Sequence, residues 1–72
     1  MTDALYTVKE TSKILKVGVN KVYALIDNGL LIPLKLGALK IPAIQLEKFI
    51  ADYTGKDLTD LKNIKNLQEN IG

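Results

Sequence analysis

The 72-residue chain contains no cysteine, no histidine, no arginine and no tryptophan. Without cysteine there is no disulfide framework and no thiol nucleophile. Without histidine as well, the usual zinc ligands and the imidazole base are gone. Gly18, Gly29, Gly37 and Gly55 are spaced as punctuation, so no phosphate-cradling loop is expected. Asp57 and Asp60 stand three apart, but nothing nearby supplies the further oxygen ligands of a calcium site. Favourable charges at a helix start are the stronger reading of that pair. No enzymatic activity, cofactor, metal or small-molecule substrate is therefore expected. The opening MTDALYT lacks both the basic flank and the apolar core of a secretory leader. No apolar run approaches the roughly 18 residues of a membrane span, so a cytoplasmic protein without membrane contact is expected.

What is present suits one small folded unit. Apolar residues make up 47% of the chain, enough for a modest core and too many for wholesale disorder. The net charge is only +2, but it is unevenly spread. Residues 1–40 carry six lysines against three acids, and residues 41–72 carry four lysines against five acids. The positive field belongs to the first half, as the footprint of a nucleic-acid reader should.

That half also holds the most informative stretch, TVKETSKILKVGVNKVYALIDNGLL, from Thr7 to Leu31. Thr7 and Glu10 form a T-x-x-E capping box, which predicts a helix start, and Val8, Ile14 and Leu15 then share roughly one side. Gly18 breaks the pattern and is expected to take a backbone conformation other residues resist. A second periodic run follows at once and closes at Asn28-Gly29. In that run Val22, Leu25 and Ile26 share one face, while Asn20, Lys21, Ala24 and Asn28 share the other. A polar outer face is ordinary for a surface helix. The preceding capped helix, the short turn and the mixture of Asn, Lys and a small Ala favour a base reader. Asn matches adenine, Lys reaches guanine or phosphate, and Ala permits contact with a thymine methyl. Tyr23 sits between the faces, where it can either pack or give its hydroxyl to a phosphate, and packing is the favoured expectation.

Beyond Gly29, LLIPLKLGALKI reads as two short strands around Gly37, with Lys35 and Lys40 flanking the turn. Pro33 confines the first run to a sheet edge or leaves it outside the ladder. In AIQLEKFIADYTG, Leu46, Phe49, Ile50 and Tyr53 recur at helical spacing and Gly55 supplies a stop. The order TVKETSKIL, KVGVNKVYALIDNGLL, PLKLGALKI and QLEKFI resembles the excisionase-type winged-helix proteins, relatives of the DNA-binding domain of MerR-type regulators. The resemblance implies a mainly α (α+β) winged helix-turn-helix over residues 1–55, with a two-stranded wing and a supporting helix. It implies that the second helix enters the major groove of double-stranded DNA while the wing meets a neighbouring groove or backbone. Gly18, Val19, Asn20, Lys21, Ala24 and Asn28 are then the candidate readers, and Lys16, Lys35 and Lys40 the candidate backbone contacts. Such proteins bend DNA during excision of mobile elements or act as small regulators; a protein-interaction module that keeps the fold without reading DNA is a further alternative. Members of the family typically carry glycine where Lys16 stands and serine where Gly18 stands, and they load the reading surface with arginine. Lysine binds phosphate as a point charge without arginine's planar fork, so modest sequence discrimination is expected.

The tail, residues 56–72, places Leu58, Leu61, Ile64 and Leu67 at a three-residue interval, with Ile71 four further on. A helix beginning near Asp57 is expected, with a frayed segment the close second because of its asparagines. Such a helix leaves Leu61, Ile64 and Leu67 to contact an integrase or recombinase, or another copy of the chain.

Overall fold

The computed structural model describes residues 4–67. Thr7 ends a strand, β1 (Leu5–Thr7), and begins a helix, α1 (Val8–Leu15). Its N–H donates to Glu10 Oε1 at 2.8 Å, and the Glu10 N–H donates to Thr7 Oγ1 at 3.0 Å. This is the reciprocal cap that the T-x-x-E spacing predicts. The buried face of α1 is Val8, Thr11 and Ser12, with Leu15 half-buried beside them. Those four positions follow the i, i+3, i+4, i+7 rule, so Ile14 falls off the stripe and is 44% exposed. Ser12 satisfies its hydroxyl by donating to Lys9 O at 2.7 Å.

The reversal after α1 is made by Lys16 and not by Gly18. Lys16 has φ 60° and ψ 41°, and it places the Val17 N–H 3.0 Å from Ser12 O to close the helix end. Gly18 has φ −73°, which any residue adopts, and serves as the N-cap of α2 (Val19–Asp27) without a side chain to fill that role. The left-handed position is dictated by the orphan carbonyls of α1, which must be met directly after Leu15. At the far end Gly29, at φ 74°, lets the Leu30 N–H reach Leu25 O at 2.9 Å, the expected stop of α2.

The wing consists of β2 (Leu34–Leu36) and β3 (Ala38–Pro42), antiparallel around Gly37 at φ 76°. Pro33 lies just outside the ladder, and β2 is an edge strand, as proline requires. On its other side β3 pairs with β1, placing Thr7 opposite Lys40 and Tyr6 opposite Ile41. This third strand was not among the sequence expectations, because three residues carry no period worth reading. Its effect is to bind the start of α1 to the wing. The last helix, α3 (Ala43–Tyr53), begins directly after Pro42 and buries Leu46 and Phe49, whose ring lies 5.3 Å from that of Tyr53. These two side chains join Val8, Val22, Leu25, Leu31 and Ile41 in a single core.

The helix expected from near Asp57 does not form among the described residues. Two-residue strands, β4 (Lys56–Asp57) and β5 (Lys65–Asn66), pair antiparallel and close a loop. Asp57 Oδ1 accepts from the Thr59 N–H at 2.9 Å, and Asp60 Oδ1 accepts from the Lys62 N–H at 3.1 Å. Such turns compete with helix wherever Asp finds a nearby amide, and the three-residue apolar interval drifts around a helix too fast to hold it on one surface. Leu58 and Leu61 instead pack against the core. Ile71 lies outside the described residues.

Candidate nucleic-acid interface

The position of each side chain around α2 follows from about 100° per residue. With Val22, Leu25 and Ile26 against the core, the direction facing straight outward belongs to Asn20, Ala24 and Asp27. Tyr23 lies on one flank, with Lys21 and Asn28 on the other. Tyr23 is 44% exposed and is not among the side chains packed on the core. With Thr7, Lys9, Lys35 and Lys40 it lines an open cleft of about 450 Å³ between α1, α2 and the wing. The β1·β3 register creates this cleft by fastening Thr7 beside Lys40. Three lysines and a tyrosine thus line one concavity, a combination of charge and shape able to receive an anionic backbone.

The structure treats the candidate readers unequally. Gly18, Val19 and Asn20 are exposed in the first turn of α2, the end that a helix entering a groove presents. Lys21 is half-buried, and its Nζ donates to Leu58 O at 2.8 Å, so the tail engages it on the flank away from the wing. Ala24 is half-buried on the outward side. Asn28 is exposed but its Nδ2 donates to Ala24 O at 2.8 Å, which commits it to ending its own helix. Lys16 and Lys35 are exposed and Lys40 is half-buried. Asp27, on the same outward side, is a negative charge the expectations left out. It lies in the last turn of α2, away from the leading end.

Sequence reasoning did not single out Lys9, and for Tyr23 it put packing ahead of a phosphate contact. The signal for Tyr23 was present: it lies about 100° from Val22 and about 60° from Ile26 around the helix, at the margin of the apolar stripe. For Lys9 no local signal exists, since its place depends on the pairing of β1 with β3. The proposed partner residues are also redistributed. Leu61 packs against this chain's own core, Ile64 is half-buried and Leu67 is 47% exposed, so they do not form one apolar stripe. In the tail, the hydrogen bonds from Thr59 hold the Asp57 carboxyl below its ordinary range, helped by the charges of Lys65 and Lys21.

Among the described residues no group of three or more carboxylates is gathered to hold a metal ion. No described helix is long and apolar enough to cross a membrane. Helix, tight turn, second helix, two-stranded wing and supporting helix define a winged helix-turn-helix, a fold of DNA-binding domains. A family profile described as a helix-turn-helix domain matches residues 5–54, from β1 to the end of α3, and the chain belongs to that excisionase-type helix-turn-helix family. No curated protein and no solved structure matches the chain significantly.

Proposed function

We propose that this chain is a non-enzymatic DNA-binding protein of excisionase type, an architectural or directionality factor for recombination of a mobile element. The first turn of α2 enters the major groove, where Asn20 is the principal reader and Val19 and Ala24 allow close approach to base edges. The cleft formed by Lys9, Tyr23, Lys35 and Lys40 receives the phosphates beside that groove. That cleft is the observation that carries the reading, because it combines positive charge and concavity next to an exposed helix N-terminus. The absence of histidine, cysteine and arginine from the chain supports a binding role over a catalytic one. An integrase or a second copy of the chain is the proposed protein partner.

The experiment is a fluorescence-anisotropy titration of duplex DNA, followed by a circularly permuted gel-shift assay. Binding that weakens steeply with salt and bends the duplex is expected. A protein that binds without bending is a small regulator, and one that shows no salt-dependent binding to any duplex has kept the fold for another purpose.

A further inference from the structure

The tail loop lies against the recognition helix on the side opposite the wing. Lys21 and Tyr23 are two residues apart in α2, hence separated by about 200° around its axis. Tyr23 lines the cleft with Lys35 and Lys40 of the wing, whereas the Lys21 ammonium donates to the Leu58 carbonyl of the tail. The helix is thus straddled by two hairpins, one on each flank, with Asn20 and Ala24 between them.

The second hairpin carries three lysines, Lys56, Lys62 and Lys65, against two aspartates, Asp57 and Asp60. Its base is closed by the β4·β5 pair and by the Lys56 Nζ bond to Asn66 Oδ1 at 2.6 Å. Its face against the core is held by Leu58 and Leu61. Each aspartate accepts a bond from a backbone amide of the same loop, Asp57 from Thr59 and Asp60 from Lys62. Lys62 and Lys65 remain exposed; Lys65 pairs across the β4·β5 ladder with Asp57, the neighbour of Leu58, whose carbonyl accepts from Lys21 of α2. A helix lying in the major groove has the phosphates of one strand on each side of it.

We infer that the 56–66 hairpin is a second backbone contact, in which Lys62 and Lys65 meet the phosphates of the strand opposite the one gripped by the wing. This rests on the DNA-binding reading above and extends it: the domain holds both walls of the groove, and the tail belongs to the interface. Lys21 acts as the strut that keeps the loop against α2.

The test is the salt dependence of binding to duplex DNA for the full chain, compared with Lys62→Gln/Lys65→Gln and, separately, Lys35→Gln/Lys40→Gln. Loss of both tail contacts should lower the slope of log K against log salt by about 1.8. Binding to unrelated sequences should weaken by the same factor. Ethylation interference should lose its protected phosphates on one strand with the tail variant and on the other strand with the wing variant. An unchanged slope for the tail variant beside a reduced one for the wing variant overturns the second contact and leaves the DNA-binding reading standing. Tighter binding by the tail variant also overturns it and makes the loop a cover over α2. Failure of the unaltered chain to bind any duplex removes both proposals together. Should the double substitution lower the melting temperature, Lys62→Gln alone, in an exposed turn, gives the same reading with half the change in slope.

Discussion

The two hairpins beside α2 are made in different ways. The wing continues a three-stranded sheet whose central strand carries the fully buried Ile41, so backbone ladders and burial hold it together. The tail has two paired residues on each strand, rests on the core only through the half-buried Leu58 and Leu61, and is otherwise fastened by single side-chain bonds: two aspartates to backbone amides, Lys56 to Asn66, and Lys21 to Leu58. A ladder resists the loss of any one bond, whereas a loop fastened by individual contacts opens locally. The wing is therefore the rigid hairpin beside α2, and the tail on the opposite flank is the adjustable one.

The largest expected effect comes from breaking the rigid side. Ile41→Ala should cost about 2–5 kcal/mol in urea denaturation, because the fully buried side chain leaves a cavity beneath the sheet. Leu58→Ala, at a half-buried site in the tail, should cost about 1–2 kcal/mol. Equal costs would mean that the two hairpins are one cooperative unit. Next in size, Lys21→Met keeps the apolar stem and removes the ammonium. It should lower the opening free energy of the tail by about 1 kcal/mol, read as faster hydrogen exchange at the Thr59, Lys62 and Leu67 amides while those of β3 stay unchanged. Uniformly faster exchange would show instead that Lys21 supports the whole fold.

The turn between α1 and α2 offers a smaller effect within the rigid part. Lys16→Gly relieves a left-handed backbone and should raise stability by about 0.5–1 kcal/mol, and Gly18→Ser adds a capping hydroxyl worth a few tenths. Thermal melts of the two single variants check this, and a loss in the first would place the strain elsewhere. The smallest effect is on pH. The Asp57 carboxyl has a lower pKa folded than unfolded, so its contribution is present above the unfolded value and is lost as pH falls through the folded one. Protection of the Thr59 amide should therefore decline below about pH 4. It should already be weak at neutral pH in Asp57→Ala, which removes the acceptor, while the wing amides follow global unfolding.

Most of the architecture was legible in the residues. The Thr7–Glu10 cap, the Asn28-Gly29 stop, Pro33 outside the ladder and the turn at Gly37 are each short-range effects of one or two side chains on their own backbone. The apolar faces of α2 and α3 followed from period alone, with Ile50 of α3 the exception at 44% exposure. The candidate site was less legible. Asn20 and Val19 lie where the helix period puts them, but the same period left open which flank of α2 meets the wing.

What the sequence by itself determined is the order of the elements and the outward face of α2, because caps, turns and helical period act within a few residues. Tertiary structure alone decided three things. Pairing of β1 with β3 made the lysine-lined cleft, since it joins residues more than thirty positions apart. Packing of Leu58 and Leu61 on the core turned an apolar repeat that resembles a helix into a closed loop. Docking of that loop gave Lys21 a carbonyl partner 37 residues away, which no local pattern specifies. In each case the deciding energy is a contact distant along the chain, and it exists only once the other elements are in place.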